Sequence, residues 1–331
     1  MRRGGAGSLL RAVSDAPLTT VVAPQRSVIQ HLGSLWSYRE LLANLVRKEL
    51  KVRYKGSSLG FVWSLLNPAM YLVVFYVAFQ LVLKAGIPSF AIFILTGLLA
   101  WNFFSIASGA SVNAIVGNAS LVNKVWFPRE ILPLASVGAN LVHFWLQAAV
   151  LGLAVLGVEV YKLVADPSAT ARATLPHLDP AYLWLVVPAV LALVLLTAAF
   201  AVFLSCVNVY ARDTQHLLEL ALLAWFWMTP IIYPWGLQAN KLVEVGWPSW
   251  VTLLNPVTPI VLAFQRALYG IVEAPAGVGI RGEALTTLQL PAESSLWYFR
   301  NLGIVIVAAV VLLLLALRLF TRLEADFAEE L

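Results

Sequence analysis

Two long tracts of this chain carry almost no charge, and they leave few folds open. From Gly56 to Leu83 no side chain ionises apart from tyrosine, and from Ala85 to Asn123 there is no Asp, Glu, Lys, Arg or His. Each tract exceeds the roughly 20 apolar residues that a helix needs to cross a hydrocarbon core. An ionised group in lipid is costly and rare, so charge-free runs mark spans more sharply than helix propensity does. Composition agrees: 60% of the residues are hydrophobic and 12% charged, where a soluble domain is about 25% charged. The sequence predicts an all-α polytopic membrane protein.

Six spans emerge from the charge-free runs, at about 61–83, 90–112, 133–157, 182–208, 217–235 and 301–320. Lys84, Gly86 and Pro88 make a short turn between the first two, and residues 113–132 form the loop between the second and third. Ten of the 22 Lys and Arg precede residue 56. Because cationic residues near short loops stay cytosolic, both termini are expected in the cytosol. Residues 1–35 hold Arg2, Arg3, Arg11 and Arg26 without an apolar run resembling a signal peptide, and are expected to be a mobile cytosolic tail.

Residues 36–56 have a different character. Leu41, Leu42, Leu45 and Val46 recur at helical spacing while Arg47, Lys48, Lys51 and Lys55 charge the remaining surface. Such a helix favours the face of an anionic membrane, and it leads directly into the first span. Residues 247–270 are apolar but interrupted by Pro248, Pro256 and Pro259. Proline removes a backbone donor and breaks a continuous span. Two forms remain open there, a pair of re-entrant helices or a partly buried external loop, the first favoured. Residues 271–295 read as an exposed loop.

The chemistry is sparse. No GxxxxGK[ST] and no Gly-Lys pair occurs, so the phosphate-cradling loop of a nucleotide hydrolase is missing. Four dispersed His and one Cys offer no metal-ligand spacing, so no metal site and no cofactor are expected in this chain. His143 is the one imidazole well inside a span; with Glu219, at the edge of the fifth range, the one Asp or Glu within the six ranges to take a proton onward, packing against Trp145 and neighbouring helices is favoured over a relay. Interfacial belts account for Trp63, Tyr233 and Trp235. Tyr71, Phe75 and Phe79 lie deeper, at i, i+4 and i+8, and form a stripe that either packs on a partner helix or lines a conduit in which sugar faces stack. The loop NKVWFPREILP, from Asn123 to Pro133, sets Trp126 and Phe127 between charges, where exposed aromatics mark a lipid interface or a docking site.

Four stretches in order, RYKGSSLGFVWSLLNP (53–68), NKVWFPREILP, TPIIYP (229–234) and LNPVTPI (254–260), resemble the membrane subunit of type-2 ATP-binding-cassette exporters of O-antigen, capsule, teichoic acid or galactan. The resemblance runs over about residues 36–331. It implies a homodimer of six-span subunits in the bacterial plasma (inner) membrane, with two copies of a separate ATPase subunit that bind ATP and Mg. A polyprenyl-linked polysaccharide would be the cargo, with membrane lipids as further partners and no nucleic acid. By the same resemblance, residues 36–56 form a gate helix whose Arg47, Lys48, Lys51 and Arg53 would meet the lipid pyrophosphate. Lys124, Trp126, Phe127, Pro128, Arg129 and Glu130 would belong to the coupling helix seated on the ATPase. Tyr71, Phe75, Phe79, Trp225 and Trp227 would line the channel, and Pro256 and Pro259 would stand at its outer gate. A type-2 permease for a drug or small lipid is the alternative; a membrane-embedded glycosyltransferase would need an acidic pair or metal site that the spans lack.

Overall fold

The computed structural model describes residues 37–56, 62–84, 86–122, 124–125, 127–164, 175–176, 178–278, 284–324 and 327. The N-terminal tail, Trp126 and most of the 165–177 segment lie outside the described residues.

A basic helix, α1 (Arg39–Tyr54), comes first. Next is α2 (Trp63–Phe75), which passes at Tyr76 into a π-helical stretch reaching Val82. A tight turn with left-handed backbone at Lys84, Gly86 and Ser89 reverses the chain. Gln80 Nε2 ties that turn by donating to the Ile87 carbonyl at 2.7 Å. The chain then enters α3 (Phe90–Val112), apolar on every side and accordingly buried along most of its length. A 3-10 turn (Val116–Asn118) and the four-residue α4 (Ala119–Val122) lead to α5 (Ile131–Val164).

The second half opens with α6 (Pro180–Leu183), continued by α7 (Val186–Tyr210). Asp179 caps the start, accepting from Ala181 N at 2.9 Å, with Pro180 at the first helical position where its missing N–H has no partner to lose. There follow α8 (Thr214–Met228), α9 (Trp235–Glu244), a 3-10 segment (Ser249–Leu254) and α10 (Val257–Leu268). A hairpin of β1 (Glu273–Val278) and β2 (Ala284–Leu288) precedes the final helix, α11 (Ser295–Leu323).

Among the described residues, four stretches are long and apolar enough to cross a membrane: Phe90–Val112, Ile131–Lys162, Pro180–Tyr210 and Ser295–Leu323. They match the expected second, third, fourth and sixth spans, each of the last three extending beyond the expected limits. The other two expected spans take a different form. The first is the α-to-π helix with Pro68 inside it. In place of the fifth stands α8, whose 15 residues rise only roughly 22 Å before the chain turns at Thr229.

One further expectation is corrected. Residues 271–295 are not simply a loop, because β1 and β2 pair antiparallel, Glu273 opposite Leu288, with a register shift between Pro275 and Gly277. This hairpin is the departure from an all-α fold. Proline and glycine inside β1 hid it, and a bulged strand is where such residues are tolerated. The 247–270 segment divides into a 3-10 turn and α10, and every residue of α10 from Val257 to Ala267 is buried, so this half is core and not external loop. Its prolines fit: Pro256 caps α10 and Pro259 lies in its first turn, where no intrahelical donor is needed.

The packing forms two clusters. The larger surrounds α3 with α7, α10 and the first turns of α11; the smaller joins Leu45 of α1, Phe127, the end of α7 and the end of α11.

Candidate functional site

The gate-helix residues lie on α1, whose apolar face is the one the spacing predicted: Leu45 is buried, with Leu41, Leu42 and Val46 packed beside it. That face rests on α5, where Gly138 permits the approach; a Cβ there would stand 2.9 Å from Val46 Cγ2. The charged residues divide. Arg53 donates to Asn140 Oδ1 at 2.9 Å and Lys48 to Asn118 Oδ1 at 2.8 Å, so both are committed to neighbouring segments. Lys51 is exposed, and Arg47 has only a 3.4 Å contact one turn back, to Asn44. His143 meets the Tyr54 hydroxyl, which lies 3.0 and 3.2 Å from its two ring nitrogens. Its polar partner is thus the end of α1, while Trp145 is exposed.

Between α1 and the 116–125 segment lies an open cleft of about 550 Å³, lined by Leu41, Leu45 and Leu121 and by Lys48, Asn118 and Lys124. Asn118 is the hinge pin of this arrangement. Its amide donates to the Ala114 carbonyl at 2.8 Å while its oxygen accepts the hydrogen bond from Lys48.

Of the coupling residues, Lys124 is exposed, as is its neighbour Val125. Phe127 is not. The sequence places it on the surface, yet it is 3% exposed and packs in the smaller cluster. Pro128 and Glu130 are buried too. Arg129 reaches the end of the chain, donating to the Glu324 carbonyl at 2.7 Å.

The aromatic stripe of the first span turns inward along part of its length. Tyr71 stacks on Phe75 at 5.9 Å, Phe75 meets Phe79 edge-on at 6.2 Å, and Phe79 stacks on Phe90 at 6.1 Å. Phe226 of α8 completes the set, 6.0 Å from Phe75, 6.5 Å from Tyr71 and 5.6 Å from Trp101. The sequence singled out both tryptophans beside Phe226 for the channel but not Phe226 itself. Trp225 is held among Phe104 and Phe200, whereas Trp227 is 52% exposed and Tyr71 41%.

Two motif stretches far apart in sequence meet at Asn255. Its oxygen accepts from Trp225 Nε1 at 2.7 Å and from Val257 N at 3.0 Å, and its amide donates to Thr229 Oγ1 at 2.8 Å. Thr229 in turn donates to the Trp225 carbonyl at 2.9 Å. Gln265 adds a bond to the Pro230 carbonyl at 3.2 Å, and Gly97 of α3 lets Ile231 lie against it. The TPIIYP and LNPVTPI stretches are therefore one joint, holding the end of α8 to the start of α10.

One catalytic spacing needs a structural check. Gly56-Ser57-Ser58-Leu59-Gly60 satisfies GxSxG, but it follows a helix, α1, and not the strand that a nucleophile elbow requires.

These features define a class: a multi-pass membrane protein with a basic amphipathic helix at its entry and a broken, buried helix before its last span. Residues 40–269 match the ABC-2 type transporter family, and the chain belongs to that family. Its sequence has no nucleotide-binding loop, in keeping with the permease subunit of such transporters. It is 33% identical over 245 residues, 73% of this chain and 85% of the relative, to the O-antigen export system permease protein RfbA of Myxococcus xanthus. A Klebsiella pneumoniae protein of the same name is 25% identical over 300 residues, 90% of this chain and 96% of the relative. The polysialic acid transport protein KpsM of Escherichia coli is 31% identical over 98 residues, 29% of this chain and 36% of that protein.

Proposed function

We propose that this chain is the channel-forming permease of an ATP-driven exporter that moves a lipid-linked polysaccharide from the cytosol to the outer face of the bacterial inner membrane. The observation that carries the proposal is family membership together with likeness to O-antigen export permeases over most of the chain. Two copies of the chain form the path, and two copies of a separate ATPase subunit bind ATP and Mg and supply the work. Both termini are cytosolic, as the ten cationic residues before position 56 favour. This orientation sets α1, the 116–125 segment and the end of α11 on the cytosolic side, and the β-hairpin and α9 outside.

The division of charge on α1 supports distinct duties. Lys48 and Arg53 fix the helix to the 116–122 segment and to α5. Arg47 and Lys51 remain for the pyrophosphate of the lipid carrier, which charge-assisted hydrogen bonds hold best. Tyr71 and Trp227 are exposed aromatics of the first and fifth spans and offer faces on which sugars stack.

A deletion strain tests the proposal. Loss of the gene is expected to strip the polysaccharide from the cell surface and to accumulate lipid-linked glycan on the cytosolic leaflet, both restored by the wild-type chain. Unchanged surface glycan in the deletion strain would refute the assignment of cargo.

A further inference from the structure

The chain does not simply stop where α11 ends. Beyond Leu323, Glu324 and Phe327 lie against the loop before α5, with Arg129 at the contact. Besides its bond to the Glu324 carbonyl, Arg129 places Nε 3.8 Å from Glu324 Oε1 and its guanidinium 5.8 Å from the centre of the Phe327 ring. Phe327 is fully buried, at 0% exposure. It meets Phe320 edge-on at 5.2 Å and lies 6.0 Å from Tyr210, whose hydroxyl donates to the Leu323 carbonyl at 2.9 Å. Phe127, Phe320 and Phe327 share one apolar cluster with Val202, Cys206 and Val209 of α7.

This arrangement joins three parts of the chain that have no sequence proximity; Arg129 and Glu324 are separated by 195 positions. An arginine fork in a loop between charges has the shape to grip a partner's carboxylate. Here the fork is used inward, on a carbonyl, a carboxylate and a ring of the same chain. Phe127 is likewise turned inward. Among the described residues of the loop, Lys124 and Val125 are the ones exposed outward.

We infer that the C-terminal turn, through Glu324 and Phe327, is a brace that positions the coupling loop, with Arg129 and Phe127 as positioning residues and Lys124 and Val125 as the face offered to the ATPase. The inference rests on the ATP-driven reading of the chain. A push on the exposed face of the loop then reaches the ends of α7 and α11 through the brace, because Phe327 packs on both.

The test uses the full chain purified with its ATPase in lipid, with four variants: Phe327→Ala, Phe327→Leu, Arg129→Ala and Arg129→Lys. Hydrogen exchange of residues 116–131 in the resting complex reads the position of the loop. Glycan exported per ATP hydrolysed reads coupling. Phe327→Ala and Arg129→Ala are expected to speed exchange in the loop and to lower the export ratio about threefold to tenfold, the range for losing one hydrogen bond of ordinary net strength or its support. Phe327→Leu and Arg129→Lys retain most of both, since one refills the cluster and the other keeps a cation at the carbonyl. A merely structural lesion lowers the amount of complex and leaves the ratio intact in what assembles. Where Phe327→Ala does not insert, Arg129→Ala carries the same expectation. Unchanged loop exchange overturns the brace, and altered exchange with an unchanged export ratio overturns its role in coupling. If the wild-type complex exports no glycan with ATP, the exporter reading falls, and loop exchange still decides the brace.

Discussion

Replacing Asn255 by alanine tests the joint between α8 and α10. The side chain accepts from Trp225 Nε1 and Val257 N and donates to Thr229 Oγ1, so alanine removes three hydrogen bonds at once. A buried donor left without a partner costs about 1–3 kcal/mol, and two donors, the indole and the Val257 amide, would be orphaned. Asn255 is itself half-buried, which admits some water and places the loss at the lower end, about 2–4 kcal/mol. A change of that size corresponds to roughly 3–6 °C in the melting midpoint of a chain this large. Thermal unfolding of the purified chain in detergent, followed by size exclusion, measures it. Thr229→Val supplies the internal scale: it leaves both Asn255 acceptor bonds in place and is expected to lose less than half as much. An Asn255→Ala protein that melts within a degree of wild type, or no lower than Thr229→Val, would refute the claim that this amide joins the two motifs.

Other perturbations have equally definite outcomes. At Gly236 an added Cβ would overlap the Leu288 carbonyl, so Gly236→Ala is expected to separate α9 from the hairpin; new protease cleavage near residues 279–283 would report it, and a wild-type digestion pattern would contradict it. The double substitution Arg47→Glu with Lys51→Glu leaves the bonds of Lys48 and Arg53 untouched, and is expected to reduce export at limiting substrate while complex assembly stays normal. Lys48→Ala and Asn118→Ala are expected to be non-additive, with a coupling of about 1 kcal/mol or less for so exposed a pair; strictly additive effects on stability would show that the 2.8 Å contact contributes nothing.

How much of this was legible in the sequence depends on the range of the forces involved. The limits of α3 follow from local chemistry alone, since a charge-free apolar run with Ser89 before it and Asn113 after it has one obvious use. The apolar face of α1 was legible for the same reason, because Leu41, Leu42, Leu45 and Val46 repeat within two turns. Phe127 was misplaced because its cover comes from Phe320 and Phe327, near the other end of the chain, and no local pattern announces such a partner. Phe226 was missed between two more conspicuous tryptophans, although it is the one of the three that lies against Tyr71 and Phe75. The π-helical stretch from Tyr76 to Val82 left no trace that residue spacing records. On α1 the cations themselves were readable, but which of them are tied to the fold depended on Asn118 and Asn140, two neutral residues on other segments.

The central claim, that this chain conducts lipid-linked polysaccharide under the drive of a separate ATPase, is tested most directly in proteoliposomes. The chain is reconstituted with its cognate ATPase and lipid-linked glycan, and the glycan reaching the far leaflet is counted with ATP, with a non-hydrolysable analogue and with a hydrolysis-deficient ATPase. The account predicts that glycan crosses only when ATP is turned over and both proteins are present. Stable assembly with ATP turnover but no movement of glycan would contradict it and would point to a small lipid or drug as the cargo.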